Sequence, residues 1–591
     1  ATARRLLELP PAAPPPLALP DRTTPEIDVE DLAAHVLALT REETAGRRAG
    51  TEGERLAADY LTRAFAAIGL APEGEEEGAV HRFAFASGVA LGPENELRVE
   101  PALAAHAAAG DAGALALARS FALAADWRPL AFSSSGAIPA SEIVYAGYGL
   151  VAPESDGYPA LDDYGEIDLT DRWVLVFRGL PHALEGPRRQ VLQRYASLRH
   201  KTMVARDRGA RGILFVSGPL ARYRDELVPL RFDASRAGTR LAVLSINNET
   251  AERLLAELER DLETLQRQAD EALIGAGPAE RPASIPLSQS LLAAKIDVET
   301  LRAEGANVLA RLQLGAVPSE QTVVLGAHFD HLGRGEGSSS LARADEVGEI
   351  HPGADDNASG TALLLEIAQA LAHRKSEGVD LGKRDFVFAA WSGEELGLLG
   401  SDAWVEENVN PHDNESGPVA YLNFDMVGRL EDDLVVQGVG SSPAWRALLE
   451  RAAVPIGLSI HPGEDAYVPT DATSFYTQGV PILSAFTGVH SEYHTPRDVE
   501  ALLNLEGTAA IGELFLRIAV AISRAEDPPL YQAQRAPSAG QGRSGFRVFL
   551  GTIPDYAQTE VTGVRLSGVA PAGPAEQGGL RSGDVIVGVD D

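Results

Sequence analysis

Apolar residues in the second half of the chain follow two patterns. Short continuous apolar runs predict buried strands at 308–312, 323–327, 386–391, 419–424 and 482–486. Apolar residues at helical spacing predict helices at 361–372, 445–453 and 505–523. Because strands and helices alternate, the pattern indicates an α/β fold with a mostly parallel, doubly wound sheet.

The first half of the chain is less regular. Residues 1–26 are rich in proline and predict an extended leader, followed by helices at 28–39 and 54–68. Further on, the pattern predicts short strands at 143–149, 173–179 and 212–216, and helices at 190–208 and 249–271. This β-rich segment contains no cluster of ligand-type residues. We therefore expect a structural or substrate-gating insert.

Changes in composition suggest where the domains begin and end. The main domain is expected to be discontinuous, with residues 27–139 and 291–526 interrupted by an insert over 140–290. A linker rich in glutamine, serine and glycine covers 527–543. Residues 544–591 then form a separate small segment.

Charge and composition exclude several classes of function. The formal net charge of −34 argues against nucleic acid or an anionic membrane as a partner. Cysteine is absent, so the chain has no disulfide framework, thiolate metal site or cysteine nucleophile. No apolar run approaches the roughly 18 residues of a membrane-spanning helix. We expect a protein without a membrane span.

Potential metal ligands follow several of the predicted strands. His328, Asp330 and His331 lie at the end of one strand, and Asp355 and Asp356 precede a predicted helix. The other candidates lie in loops after later strands: Glu394, Glu395, Asp425 and His494. The carboxyl ends of strands in open α/β sheets are where active sites form. Nitrogen and oxygen ligands without a thiol favour zinc or a similar divalent metal.

The number of candidates fits two metal ions. Two imidazoles and three carboxylates would serve as ligands, and one carboxylate of the Glu394–Glu395 pair would remain as a base. His331 and His351 are expected to be ordinary loop residues. The chain lacks a His-Glu-x-x-His motif, a Gly-x-Ser-x-Gly motif and a P-loop.

Five motifs resemble those of metallopeptidase family 28, the two-zinc aminopeptidases related to leucyl aminopeptidases, aminopeptidase Y and glutamate carboxypeptidase. The motifs are Ala327-His328-Phe329-Asp330, the Gly353–Gly360 segment, Gly393-Glu394-Glu395, Asn423-Phe424-Asp425-Met426 and Tyr493-His494-Thr495-Pro496. The resemblance covers about 27–135 and 305–525. It implies a zinc exopeptidase fold.

The resemblance also implies a role for each site residue. His328 and Asp425 would hold one zinc, Glu395 and His494 would hold the other, and Asp356 would bridge the two. Glu394 would be the general base, and Asp330 would orient His328. Two zinc ions per chain are therefore expected. In that family the peptide bond after the bridging aspartate is cis, so a cis bond between Asp356 and Asn357 is implied as well.

The insert resembles a protease-associated domain, and the tail resembles a PDZ domain with a carboxylate loop over 549–552. The tail is expected to be a truncated PDZ domain, because it stops at Asp591 before the last helix and strand. Such a domain implies a C-terminal peptide as its ligand. Bacterial members with both additions are typically exported, which implies a periplasmic, secreted or cell-envelope location.

The leading hypothesis is an aminopeptidase that releases N-terminal residues from peptides. A carboxypeptidase or dipeptidase on the same site is an alternative, because the sequence does not identify the pocket residues that would decide between them. Some relatives of this fold are metal-free receptors, and others are single-zinc glutaminyl cyclases. The presence of every candidate ligand disfavours the receptor, and a cyclase would leave His328 and Asp425 without a role.

Overall fold

The computed structural model describes most of the chain up to residue 534 and short pieces beyond it. The described residues are 15–20, 23–75, 78–101, 119–154, 158–184, 186–221, 225–230, 240–255, 261–274, 290–336, 339–343, 345–410, 416–534, 552–554, 564–569, 575, 578–581 and 584–586. Much of the expected leader, linker and PDZ-like tail, including residues 549–551, therefore lies outside the described residues. The chain divides into two compact units. The first consists of Ala1–Phe85 together with Ala303–Asp591, and the second consists of Ala86–Arg302.

The first unit contains the predicted α/β sheet. Its strands are β1 (Ala71–Pro72), β2 (Val80–Leu91), β3 (Val298–Leu312), β4 (Gln321–His328), β5 (Asp385–Trp391), β6 (Gly417–Phe424), β7 (Asp433–Gln437), β8 (Ser459–Pro462) and β9 (Ile482–Phe486). Its helices are α1 (Val29–Leu39), α2 (Glu52–Ile68), α3 (Gly360–Ser376), α4 (Leu399–Asn408), α5 (Trp445–Ala453), α6 (Ala472–Tyr476) and α7 (Leu505–Arg524). Strands β2 and β3 continue from this unit into the second.

The centre of this sheet is parallel. The strand order is β1-β3-β5-β4-β6-β9-β7-β8, and β2 also pairs with β3. Strands β5, β4, β6 and β9 run parallel to one another, whereas β3 and β7 join this group in antiparallel orientation. The expected mostly parallel sheet is confirmed.

Register aligns the carboxyl ends of the central strands. His328 at the end of β4 is paired with Trp391 at the end of β5. Next to them, Phe424 at the end of β6 is paired with Ala485 of β9. The loops that leave these strands therefore begin at one edge of the sheet, which brings the predicted ligands together.

Burial on both faces explains the continuous apolar runs of the central strands. Val323 and Leu325 of β4 pack into a core with helices α1, α2, α3 and α7, whereas Val324 packs into a second core that includes Phe475 of α6. A strand covered on both faces has no solvent-facing side and so shows no alternation of polar residues.

Gly326 in β4 has a packing role. A Cβ there would lie 2.4 Å from the Tyr421 hydroxyl and 2.6 Å from Trp391 Nε1. These two groups form a buried hydrogen bond of 2.9 Å in which the indole N–H donates to the hydroxyl. Glycine therefore leaves the space that two large side chains of β5 and β6 need.

The described residues of the second unit form three sheets. The five-stranded sheet has the order Trp127–Pro129, Ala242–Ile246, Gly212–Val216, Trp173–Phe177, Ile143–Tyr145. Its last four strands are parallel. An antiparallel sheet consists of Arg119–Phe121, Glu96–Pro101, Ser290–Ile296 and Gly136–Ser141, and Val151–Ala152 pairs with Leu161–Asp162. The described helices of this unit are Gly186–Gln193, Leu198–Asp207, Asn248–Leu255 and Leu262–Ile274.

Three features of the second unit differ from the expectations. The compact unit is Ala86–Arg302, wider than the 140–290 segment expected as an insert. The helix expected at 190–208 is two helices, because Ser197 forms an N-cap by accepting a hydrogen bond from the backbone N–H of His200. The helix expected at 249–271 is likewise divided, with residues 256–260 outside the described part.

Among the described residues, no helix combines the length and the apolar character needed to cross a bilayer. In the tail, the described segments Thr552–Pro554, Val564–Val569 and Val585–Ile586 pair in antiparallel orientation.

Candidate metal centre and active site

The candidate ligands come from four different loops and one strand end. His328 ends β4, while Glu394 and Glu395 follow β5. Asp425 directly follows β6, and His494 lies in the loop after β9. Asp356 lies in a single irregular turn, Ala354–Ser359, that leads into α3, and its peptide bond to Asn357 is cis, as the resemblance implied.

Asp356 connects the two halves of the site. Its Oδ1 lies 3.3 Å from His328 Nε2, and its Oδ2 lies 3.2 Å from His494 Nε2. Asp425 Oδ1 approaches the first histidine at 3.3 Å. Glu395 Oε2 approaches the second at 3.3 Å. The Asp356 carboxylate thus has His328 and Asp425 on one side and His494 and Glu395 on the other.

Backbone carbonyls fix the tautomer of both histidines. Nδ1 of His328 lies 3.2 Å from the carbonyl of Asp330, and Nδ1 of His494 lies 2.9 Å from the carbonyl of Ser339. Because a carbonyl can only accept, each Nδ1 must carry the proton. Each Nε2 therefore directs its lone pair at carboxylate oxygens, an arrangement that a cation or a second proton stabilises.

The carboxylate of Asp330 connects two parts of the site. Its Oδ1 accepts a hydrogen bond of 3.1 Å from the backbone N–H of Glu394, while the same oxygen lies 3.7 Å from His328 Nδ1. The nearest acceptor for His328 Nδ1 is instead the carbonyl of Asp330. Asp330 therefore orients the histidine mainly through its backbone, and its side chain holds the Glu394 loop.

Glu394 and Glu395 differ in their surroundings although they are adjacent. Burial raises the pKa of Glu394 well above its usual value, with His328 opposing this and Asp425 adding to it. Burial also acts to raise the pKa of Glu395, but His494 and other groups outweigh it and lower that pKa to about 2. Neighbouring carboxylates with separated pKa values are typical of an acid–base group beside a permanently ionised one.

The described residues contain two groups that could hold a metal ion. One consists of His328, Asp356 and Asp425, and the other of His331, Asp356 and Glu395. The ligand atoms of each group lie within 4.8 Å of one another. Glu395 Oε1 is buried and has no hydrogen-bond partner among the described residues, as expected of a group whose partner is an ion.

Three further residues support the site and were not assigned a role from the sequence. His331 lies with its Nδ1 2.7 Å from Glu395 Oε1, although we expected an ordinary loop residue. Asp498 accepts hydrogen bonds from the backbone N–H groups of Asp355 and Asp356, at 2.9 and 3.1 Å. The buried guanidinium of Arg47 donates to the carbonyls of Phe329 and Gly353.

Of these three residues, only His331 has a signal in the sequence that could have indicated its place in the site. It lies three residues after His328, at the end of a strand. Arg47 lies 282 residues from the first carbonyl it contacts and 306 residues from the second. No local pattern predicts contacts of that length.

Imidazole and carboxylate donors arranged on both sides of a shared carboxylate, at the carboxyl edge of an α/β sheet, define a candidate binuclear metal centre. Residues 307–519 match the model of peptidase family M28. The matched segment includes every proposed ligand and Glu394.

Curated relatives are similar to part of the chain. An aminopeptidase of Pseudomonas aeruginosa is 30% identical over 202 residues, which are 33% of this chain and 33% of the relative. The mouse aminopeptidase NAALADL1 is 32% identical over 194 residues, 32% of this chain and 22% of the relative. A probable glutamate carboxypeptidase of maize, VP8, is 39% identical over 104 residues, 18% and 13% of the two chains. The matches thus span a third or less of these relatives.

Two solved structures are also similar. An aminopeptidase from Aneurinibacillus sp. strain AM-1 is 19% identical, with 86% of this chain and 97% of that chain covered and a TM-score of 0.45. A zinc aminopeptidase from Bacillus subtilis is 18% identical, with 85% and 97% covered and a TM-score of 0.43.

Proposed function

We propose that this protein is a zinc-dependent exopeptidase, and specifically an aminopeptidase that removes residues from the N-terminus of peptides. The observation that carries the proposal is the position of Asp356, whose two oxygens each face a separate histidine and carboxylate. The match of residues 307–519 to the model of peptidase family M28 supports it.

The donor set fits two zinc ions. His328, Asp356 and Asp425 would hold one ion, and Asp356, Glu395 and His494 would hold the other. Among the described residues, Glu395 Oε1 has no hydrogen-bond partner, and the Nε2 lone pairs of His328 and His494 face carboxylate oxygens. Two bound cations would provide the partner that these atoms lack. Bound zinc would supply Lewis acidity to the scissile carbonyl and activate the attacking water.

Glu394 is the residue to which we assign proton transfer. Its carboxylate has a raised pKa, which suits a base that accepts a proton near neutral pH and later returns it. The proton comes from the attacking water and goes to the nitrogen of the departing peptide. Asp330 supports this role, because its hydrogen bond to the backbone N–H of Glu394 fixes the start of the loop.

The free α-amine of the substrate would bind at one of the two metal positions, which would select the N-terminus of a peptide. The proposed metal and proton-transfer residues are four carboxylates and two imidazoles: Asp356, Glu394, Glu395, Asp425, His328 and His494. Among the curated relatives, those of Pseudomonas aeruginosa and mouse are named aminopeptidases, and the maize relative is named a probable glutamate carboxypeptidase.

A panel of matched peptides tests the proposal. Each peptide is offered with both termini free, with an acetylated N-terminus, or with an amidated C-terminus, and the products are identified by mass spectrometry. We expect free and amidated peptides to lose N-terminal residues one at a time, and the acetylated peptide to resist. The Glu394→Gln variant is the control for a contaminating peptidase.

Shortening of the acetylated peptide from its C-terminus would instead establish a carboxypeptidase. Cleavage restricted to dipeptides would establish a dipeptidase. A chain that binds no zinc and cleaves none of the peptides would be a receptor, and the proposed function would be wrong.

The roles of the other modules remain proposals based on resemblance. We propose that the insert is a protease-associated domain, that the tail is a PDZ-like domain that binds a C-terminal peptide, and that the protein is exported by a bacterium. We expect no nucleic acid among its partners, because the formal net charge is −34.

A further inference from the structure

We propose that His331 is a third imidazole ligand of this centre and binds the ion held by Asp356 and Glu395. This inference rests on the proposed metal centre and adds a residue to it. The one-sided placement of His331 would make the two metal positions unequal, with two histidines at one ion and one histidine at the other.

The first observation is the position of the ring. Nδ1 of His331 lies 2.7 Å from Glu395 Oε1 and 3.8 Å from Asp356 Oδ2. Asp356 and Glu395 are the two carboxylates that His494 Nε2 also approaches, at 3.2 and 3.3 Å. His331 therefore faces the same pair of carboxylates as the proposed ligand His494.

The second observation is the lack of hydrogen bonds. Neither ring nitrogen of His331 has a hydrogen-bond partner among the described residues, and both are buried. Glu395 Oε1 also lacks a partner although it lies 2.7 Å from Nδ1. The two atoms are therefore close but not aligned to bond with each other. Two donors that share a metal ion have this relationship, because both direct their lone pairs at the ion.

The third observation is the rigid support of the ring. A Cβ on Gly353 would lie 2.6 Å from the Cγ and Cδ2 atoms of His331, so the ring packs directly against this glycine. The ring of His494 meets it edge-on, with centroids 5.8 Å apart. The His331 backbone N–H donates to the carbonyl of Arg47 at 3.3 Å. A buried side chain held in this way is already in place for an ion.

His351 provides a matched comparison. It is a buried histidine with its ring centroid 6.5 Å from that of His331. Both of its ring nitrogens have partners, since Nδ1 lies 3.1 Å from the carbonyl of Glu349 and Nε2 lies 2.8 Å from Ser340 Oγ. His351 is thus a loop histidine of the kind that we expected from the sequence, whereas His331 is not.

The test compares zinc binding by the wild-type chain and three variants, His331→Ala, His331→Gln and His351→Gln. Zinc per chain is measured by elemental analysis, and zinc affinity by competition with a chromophoric chelator. Cobalt is then bound in place of zinc, and its visible absorption reports on the ligands. Circular dichroism and thermal melting show whether each variant is folded.

We expect the wild-type chain to bind two zinc ions, and both His331 variants to bind one of them about 10–100-fold more weakly. Their cobalt spectra should change, whereas His351→Gln should match the wild type. The glutamine variant separates two roles, because its amide can donate a hydrogen bond to Glu395 but is a poor metal ligand.

Restored affinity in His331→Gln would show that His331 only positions Glu395 and would overturn the proposal. Unchanged affinity in both His331 variants would also overturn it, while two bound ions in the wild type would leave the proposed function intact. A wild-type chain that binds no zinc would contradict both.

Discussion

Glu394 and Glu395 have neighbouring positions in the chain and different chemical surroundings. Glu395 lies among imidazoles, with His331 Nδ1 and His494 Nε2 at 2.7 and 3.3 Å. His494 favours the ionised form of Glu395, as a metal ligand requires. Burial favours the neutral form of Glu394, which is suited to carrying a proton. The sequence predicted that one glutamate of the pair would bind metal and the other would act as the base. The resemblance assigned the metal to Glu395 and the base to Glu394.

Substitution of each glutamate by glutamine separates these roles. Glu394→Gln should keep both zinc ions and lower kcat by about 10²–10⁴-fold, because only the base is removed. Glu395→Gln should bind one zinc more weakly, with activity partly restored by added zinc. Metal content must be measured on the same samples as the rate. Loss of zinc in Glu394→Gln, with both ions kept in Glu395→Gln, would reverse the assignments.

At the scale of secondary structure, the sequence predicted the strands better than the loops between them. Strands β4, β5, β6 and β9 were predicted within two residues at each end, because their continuous apolar runs are covered on both faces. The loops that position the ligands depend on distant contacts, such as those of Arg47 and Asp498, which no periodicity reveals. The place of His331 depends on these loops, and the only signal for it in the sequence was its position three residues after His328.

The turn before α3 shows how backbone shape supports the site. Gly353 has φ of +58°, and a Cβ there would lie 2.2 Å from the carbonyl oxygen of Asp356 and 2.6 Å from the His331 ring. Gly348 also has a positive φ, +86°, but a Cβ there would meet no atom of the described residues within 4 Å. Alanine would be conformationally strained at both positions, because both have a positive φ. Only at Gly353 would its methyl group also meet neighbouring atoms.

We expect Gly348→Ala to cost about 1–2 kcal/mol of stability, the usual penalty of a left-handed conformation, with zinc affinity unchanged. Gly353→Ala should cost about 1–3 kcal/mol more, because of overpacking, and should weaken zinc binding. Chemical denaturation and a zinc titration of both variants measure these effects. Equal zinc affinity in the two variants would show that the turn does not depend on the small size of Gly353.

At the scale of the whole molecule, the proposed chemistry lies in one unit. Every candidate ligand and Glu394 fall between residues 328 and 494, which belong to the first compact unit. Composition predicted a chain of several domains with an insert, but the compact second unit begins at Ala86 and not near residue 140. Strand β2 lies across this boundary, with residues 80–85 in the first unit and residues 86–91 in the second.

The central claim is that Asp356 is shared by two zinc ions, and the amount of zinc bound per chain tests it most directly. The wild-type chain should bind two ions, and Asp425→Ala should keep one tightly bound ion because it removes a ligand from one position only. Asp356→Ala should weaken both ions, because each oxygen of its carboxylate faces a different position. An Asp356→Ala chain that retained one ion with wild-type affinity would contradict the account.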